Sequence, residues 1–268
     1  MELYSEYYVS KKCERFVNKI WCLDNSTGET PIENKLIVPN GSFNLAIISG
    51  KSAEVHTSKK KYVLNQGIYF SSQMTNTVLI NIEPKTKITI VQFHAWTISM
   101  FPKYDLSNFS NAIIKINQRD LPFKDIIEPS LENTISQLLD CINNYFEELF
   151  SLNPNKNIIE KICELIQLHN EEINVSEIGE KLNSSQRILQ IKFKSATGLT
   201  IKKYIKILKF RKSVDQMTHS APEGYNLTNI ALNNKYFDQS HFIKDFKDLA
   251  KITPKMFNPD SYFLSKKR

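Results

Sequence analysis

Residues 181–214 read KLNSSQRILQIKFKSATGLTIKKYIKILKFRKSV. This stretch contains ten Lys or Arg residues and no Asp or Glu. Apolar residues recur at helical spacing on both sides of a short turn, ATGLT, at residues 196–200. A run of one charge sign on a helical scaffold is typical of a surface that meets polyanions. The stretch therefore predicts a helical region that binds a polyanion.

The positive charge of the chain is confined to its C-terminal part. The 268 residues carry a net charge of +7. Residues 156–268 hold 20 Lys or Arg and 12 Asp or Glu, a net charge of +8, which leaves residues 1–155 at −1. The length allows two ordinary domains, each with its own core. We therefore predict an α+β chain with domains at residues 1–153 and 154–268.

The N-terminal part has the pattern of an antiparallel β-rich domain, either a cupin-like barrel or a sandwich. Short runs rich in β-branched and aromatic residues alternate with turn sequences such as Pro39-Asn40-Gly41 and Ser49-Gly50-Lys51. The predicted strands cover residues 16–23, 35–38, 43–48, 53–57, 62–64, 68–71, 77–82 and 87–94. An amphipathic helix is predicted over residues 133–150. We expect this helical tail either to pack on its own sheet or to form the face of a homodimer.

The C-terminal part repeats one pattern twice: a short helix, a turn and a second helix. The two units cover about residues 175–196 and 227–250. A connecting helix is predicted from residue 201 to about residue 217. Ser184 or Ser185 would cap the second helix of the first unit, and Phe237 or Asp238 would start that of the second. Such a helix-turn-helix unit places its second helix in the major groove of DNA.

Motifs in both units resemble the AraC/XylS family of transcriptional regulators. The second unit carries Ile230-Ala231, then YFDQSHF at residues 236–242, Phe246-Lys247, Thr253-Pro254 and Phe257. In the first unit, Ile178, Leu182, Ser185, Leu189, Phe193-Lys194, Thr197-Gly198-Leu199 and Tyr204-Ile205 fall in register. The resemblance covers roughly residues 157–258. It implies a helical domain with one recognition helix from each unit, and an N-terminal domain that senses an effector.

The sequence departs from the family pattern in two turns and in the first recognition helix. Lys235 and Lys251 stand where the family usually has Gly. A non-Gly residue at positive φ is mildly strained, which leaves the shape of both turns open. In the first recognition helix, the order Ile191-Lys192 places an apolar side chain where a DNA contact is expected. Base reading by that helix is therefore left open.

The family register nominates the DNA-binding residues. From the first recognition helix these are Ser185, Gln186, Arg187 and Gln190, and from the second Asp238, Gln239, Ser240 and Lys244. The residues expected to hold phosphates are Lys194, Lys202, Lys203, Lys247 and Lys255. Gln pairs with adenine and Arg or Lys with guanine, whereas phosphate contacts position the protein without reading sequence.

The sequence gives no sign of a catalytic or metal site. The cysteines, Cys13, Cys22, Cys141 and Cys163, form no CxxC pair, and His56 and His94 are single histidines in predicted strands. No nucleophile–base pair or phosphate-binding Gly loop is present. We therefore expect no enzyme activity, no cofactor and no metal. The aromatic residues Trp21, Tyr69, Phe70, Phe93 and Trp96 are expected to form core more than pocket, so the effector pocket is not located.

These observations predict a sequence-specific DNA-binding transcriptional regulator. Its partners would be double-stranded DNA, a small-molecule effector and a second copy of the chain through helix 133–150. No secretion signal and no apolar run long enough for a membrane span are visible, which predicts a cytoplasmic, nucleoid-associated protein with no membrane partner. Two alternatives stay open: a cupin-like metalloenzyme domain fused to a DNA-binding module, and a constitutive DNA-binding protein without an effector. Activation and repression are both left open.

Overall fold

A computed structural model describes residues 3–101, 105–116, 134–152, 155–220 and 224–262. Its strands are β1 (Tyr4–Tyr7), β2 (Val17–Asn25), β3 (Ile32–Ile37), β4 (Phe43–His56), β5 (Lys61–Ser71), β6 (Val78–Ile82), β7 (Thr86–Phe93) and β8 (Ile113–Lys115). Its helices are α1 (Ile135–Leu152), α2 (Ile158–Leu168), α3 (Val175–Lys181), α4 (Gln186–Thr197), α5 (Ile201–Ser220), α6 (Leu227–Asn233) and α7 (Gln239–Ala250). The predicted α+β organisation, strands first and helices after, is confirmed.

The strands pair antiparallel throughout, in the order β1-β2-β7-β4-β5-β8, with β6 joining β3 to β4. The predicted breaks within β4 and β5 are wrong, because both strands continue through residues read as turns. The register of β4 against β5 shifts between Ile48 and Ser52, beside Gly50 at φ +94°. A bulge of this kind bends a strand without ending it. Strands β1 and β8 were not predicted.

Helix α1 packs on the sheet of its own chain. Its Leu138, Ile142 and Phe146 are buried in one cluster with Phe16, which directly precedes β2, and with residues of the sheet. The rings of Phe146 and Phe16 stack with centroids 5.2 Å apart. Of the two roles expected for this helix, packing on its own sheet is therefore the one observed. Residue 133, its predicted first residue, lies outside the described residues.

The two parts of the chain share a hydrophobic core. Val38, Ala95 and Trp96 of the N-terminal part are buried in the same cluster as the apolar residues of α2 to α7. Arg15 and Glu160 add an almost fully buried ion pair, with Nε–Oε1 and Nη2–Oε2 both at 2.8 Å. The helical domain is therefore docked against the sheet. The predicted domain boundary between residues 153 and 154 lies outside the described residues.

Candidate DNA-binding surface

The first helix-turn-helix unit consists of α3, a turn and α4. Asn174 and Glu177 form a capping box at the start of α3. Ser185 caps α4, since its Oγ accepts a hydrogen bond from the amide of Ile188 at 3.3 Å. Of the two serines considered as the cap, the structure selects Ser185. Helix α4 ends at Gly198, which adopts left-handed backbone at φ +76°.

The second unit consists of α6, a turn and α7. Asp238 caps α7 by accepting a hydrogen bond from the amide of His241 at 2.7 Å. Lys235 in the turn and Lys251 at the end of α7 adopt φ of +62° and +64°. Both lysines therefore keep the left-handed backbone that Gly would adopt, at a cost of roughly 1 kcal/mol each. The turns retain their shape despite the substitutions.

Helix α4 exposes the side that faces away from the core. Leu189 and Phe193 are fully buried, whereas Gln186 and Arg187 are exposed and Gln190 is half-buried. The same helix exposes two apolar side chains, Ile188 at 49% and Ile191 at 59%. Ile191 therefore does stand at the surface of the recognition helix. Lys194 is also exposed, in the last turn.

Helix α7 presents a similar surface. Ser240, Lys244 and Lys247 are exposed, and Lys255 is exposed beyond the end of the helix. Gln239 is half-buried, and its Oε1 accepts a hydrogen bond from Thr228 Oγ1 of α6 at 2.7 Å.

Phe237 directly precedes the cap of α7 and is 89% exposed. The sequence pattern offered it only as a start residue of the helix and not as an exposed residue of the surface. An aromatic side chain next to an N-cap was the available signal.

Much of the positive charge on α5 is neutralised within the protein. Lys206 Nζ lies 2.7 Å from Asp245 and 2.9 Å from Asp248 of α7, and Lys203 Nζ lies 3.3 Å from Asp248. The hydrogen bond from Lys206 lowers the pKa of Asp248 to about 2, against the opposing effect of burial. Further contacts pair Lys212 with Glu171 and Arg211 with Asp215. The acid-free run is therefore not one continuous cationic face, because four of the cations of α5 pair with acidic residues of the chain itself.

Within residues 181–214, the exposed cations lie mainly in α4 and at the start of α5. Arg187, Lys192 and Lys194 of α4 are exposed, and Lys202 is exposed in the first turn of α5. Lys203, nominated as a phosphate contact, is half-buried beside Asp248.

The N-terminal domain caps the C-terminal ends of both recognition helices. The last carbonyl groups of a helix have no partner within it. The amide of Leu106 donates to the carbonyl of Ser195 in α4 at 2.7 Å. At α7, the amide of Thr77 donates to the carbonyl of Leu249 at 2.8 Å, and Asn76 Nδ2 donates to that of Asp248 at 2.7 Å.

The two capping segments are joined to each other. The amide of Thr75 donates to Asn111 Oδ1 at 2.7 Å, and the amide of Ser72 donates to the carbonyl of Ala112 at 3.0 Å. Residues 72–77 and 105–112 thus form one unit, called the capping platform below. The same platform therefore contacts the ends of both recognition helices.

Two family models match the chain. A helix-turn-helix domain matches residues 178–258, and a domain of unknown function (DUF6597) matches residues 5–115. An "Uncharacterized HTH-type transcriptional regulator" of Staphylococcus aureus is 24% identical over 162 residues, which is 59% of this chain and 21% of the relative. A relative from S. aureus strain MSSA476 is 23% identical over 161 residues, with the same coverage. The chain thus spans about a fifth of the length of these relatives.

Two solved structures with partial similarity come from different organisms. The structure of ToxT from Vibrio cholerae O395 covers 84% of this chain and 96% of its own, with 13% identity and a TM-score of 0.46. A DNA-binding transcriptional dual regulator from Escherichia coli K-12 covers 40% of this chain and 94% of its own, with 18% identity and a TM-score of 0.34.

The helix-turn-helix match falls on the residues that carry the two units described above. The C-terminal part of the chain is an AraC-type helix-turn-helix domain, as the motifs predicted. This assignment rests on the domain at residues 178–258.

Proposed function

We propose that this protein is a sequence-specific DNA-binding regulator of transcription. The observation that carries the proposal is a pair of helix-turn-helix units whose second helices, α4 and α7, are capped and expose polar residues. The two recognition helices would enter consecutive major grooves, about 34 Å apart along the duplex. Such a role in DNA binding also accounts for a cytoplasmic, nucleoid-associated location.

The proposed base-reading residues are the exposed or half-exposed ones near the starts of the two helices. They are Ser185, Gln186, Arg187 and Gln190 in α4, and Gln239, Ser240 and Lys244 in α7. Ile188, Ile191 and Phe237 join them, because exposed apolar side chains suit the methyl group of thymine. Lys194, Lys202, Lys247 and Lys255 are proposed to hold phosphates. Lys203 would hold a phosphate only if its ion pair with Asp248 were broken.

The test is a titration of the full chain against a duplex selected from a randomised pool. A protein with ~6–10 phosphate contacts loses about 10³–10⁵ in affinity between roughly 50 and 200 mM salt. Arg187→Ala and Lys244→Ala should each relax base preference by ~1–3 kcal/mol. Lys202→Ala should lower the salt slope by about 1 without changing base preference. Absent or salt-insensitive binding would show that the proposal is wrong.

Lys206→Ala is the matched control for the phosphate contacts. Lys206 lies one helical turn from Lys202 but pairs with Asp245 and Asp248. Its loss should lower the free energy of unfolding and leave the salt slope unchanged.

We further propose that the N-terminal domain adjusts DNA binding in response to a small molecule. The capping platform supports this, because it connects the sheet to the ends of both recognition helices. A homodimer through helix α1 would use its outward face, since Leu138, Ile142 and Phe146 are buried against the sheet.

In the described part of the chain, no three His, Cys, Asp or Glu side chains lie where they could hold a metal ion. No helix there is long and apolar enough to cross a membrane.

A further inference from the structure

The two recognition helices share one frame. Ser185 caps α4 and Asp238 caps α7, and each helix contains 12 residues. Each helix also ends at a residue in left-handed backbone, Gly198 after α4 and Lys251 after α7. The residues of α4 and α7 can therefore be compared position by position, counted from the cap.

In both helices, the fourth and the eighth residues after the cap form the buried side. They are Leu189 and Phe193 in α4, and Phe242 and Phe246 in α7, and all four are fully buried. An α-helix turns by about 100° per residue. The sixth residue after the cap is two residues away from each buried one, so its side chain points about 200° away from both. This sixth position is therefore the centre of the outward side.

The two helices carry opposite chemistry at this central position. It is Ile191 in α4 and Lys244 in α7, and both side chains are exposed. Ile188, one turn before Ile191, is exposed as well, whereas the corresponding residue of α7 is His241. Gln190 lies to the side of the two isoleucines and is half-buried. The centre of the outward side of α4 therefore offers apolar surface and no hydrogen-bond donor.

Cations surround this apolar pair. Arg187, Lys192 and Lys194 of α4 are exposed, and the helix contains no acidic residue. An apolar centre with a cationic border matches the major groove, where the base edges lie between two rows of phosphates. The charges around the isoleucines thus favour DNA as the molecule that covers them.

The major groove contains one apolar group that these side chains can recognise. Thymine carries a C5 methyl group there, whereas the edges of the other bases carry hydrogen-bond donors and acceptors. Apolar side chains gain free energy when they remove such a methyl group from water. A lysine instead donates to O6 and N7 of guanine. Ile191 and Lys244 therefore suit different bases at equivalent positions.

We propose that α4 selects thymine by its methyl group, through Ile191 and Ile188, and that α7 selects guanine through Lys244. A rise of about 1.5 Å per residue places the two isoleucines roughly 4.5 Å apart along the helix, and successive bases of a strand are about 3.4 Å apart. The pair is thus suited to methyl groups of neighbouring base pairs. The inference rests on the proposed function and names the base that each recognition helix takes.

Selection from one randomised pool of duplexes tests the assignment with the full chain. The positions at which a variant loses its base preference identify the half-site of the altered helix. Ile191→Ala should relax the selection at thymine positions, and Lys244→Ala should relax it at guanine positions. Because both side chains are exposed, truncation leaves the core intact, and the Tm of each variant checks this.

Deoxyuridine then isolates the methyl group, because dU differs from dT only in lacking it. Replacing the dT positions assigned to α4 by dU should weaken binding of the unmodified chain about 3- to 5-fold for each contacted methyl group. Ile191→Ala should bind the dT and dU duplexes equally at the position that Ile191 contacts. Lys192→Ala is the matched control. Lys192 is the exposed neighbour of Ile191 and points about 100° away from it, so this variant should keep the full difference between dT and dU.

The outcomes separate this inference from the proposed function. Equal affinity of the unmodified chain for the dT and dU duplexes would overturn the inference, and so would an Ile191→Ala variant that relaxes guanine positions or none. If such a chain still binds its selected duplex with a steep salt dependence, the regulatory function stands. A chain that selects no sequence at all contradicts both.

Discussion

His94 is a structural histidine held in its neutral form. Its Nε2 lies 2.9 Å from the carbonyl oxygen of Glu14, and its ring stacks on Trp96 at a centroid distance of 4.3 Å. Burial lowers its pKa from 6.5 to about 4, and the hydrogen bond to Glu14 offsets only part of this effect. His94 therefore has the structural role expected for a single histidine in a strand region. Its lowered pKa also makes the stability of the protein depend on pH.

The protein should lose stability in mild acid because of His94. Above pH 6.5 both the folded and the unfolded chain hold this side chain neutral. As the pH falls towards 4, the unfolded chain takes up the proton first, so roughly 2–3 kcal/mol of the free energy of unfolding is lost. Denaturant titrations at pH 7.5 and 4.5 should show a smaller loss for His94→Gln than for the unmodified chain. His56→Gln is the control and should lose as much stability between these two pH values as the unmodified chain does. Equal losses in all three proteins would contradict the role of His94.

At the scale of elements, the end of α4 is shaped by its contact with the capping platform. Gly198 adopts φ +76°, and a Cβ there would lie 2.8 Å from the carbonyl oxygen of Phe109 and 3.0 Å from that of Leu106. Gly224 has a similar φ of +80°, but a Cβ there would meet nothing within 4 Å. The two glycines therefore share one backbone conformation and differ in their surroundings.

This difference makes Gly198→Ala and Gly224→Ala a matched pair. Each substitution should lower the free energy of unfolding by about 1 kcal/mol, because Ala is strained in the left-handed backbone conformation. Only Gly198→Ala also pushes the platform away, so we expect it to cost about 2–3 kcal/mol in total. Denaturant unfolding of the full chain measures both values, and limited proteolysis should cut the loosened platform faster. Equal costs would mean that the platform does not press on α4.

At the scale of the whole molecule, the buried ion pair between Arg15 and Glu160 joins the two domains. The side chain of Glu160 is 1% exposed and that of Arg15 is 10% exposed. Removing one partner of a buried pair typically costs about 3–5 kcal/mol, whereas an exposed pair contributes about 0–1 kcal/mol. Glu164 of the same helix α2 pairs with Lys156, and its side chain is 40% exposed, so it provides the comparison.

We expect Glu160→Ala to change the unfolding of the entire chain. Calorimetry should show one cooperative transition for the unmodified protein, because the domains share a core. Glu160→Ala should lower the free energy of unfolding by about 3 kcal/mol or more and separate the transition into two. Glu164→Ala should keep one transition and cost less than about 1 kcal/mol. A single unshifted transition in Glu160→Ala would show that this pair does not hold the domains together.

Local signals predicted the helical domain well. The second recognition helix was expected over residues 238–250 and spans Gln239–Ala250, with Asp238 as its cap. Capping and helical periodicity depend on residues within one or two turns, which the sequence displays directly. The strands were predicted less well. Gly50 was read as a turn, whereas pairing with β5 and β7 carries β4 through it.

The sequence by itself determined the class of the DNA-binding domain, because motif, caps and apolar spacing are all local. Only the tertiary structure decided which charges stay available. Lys206 belongs to an acid-free run, yet Asp245 and Asp248 of a different helix neutralise it. The shared core and the platform that caps both recognition helices were likewise decided in three dimensions. Each depends on side chains brought together from distant parts of the chain, and pairing at such distances leaves no periodic trace in the sequence.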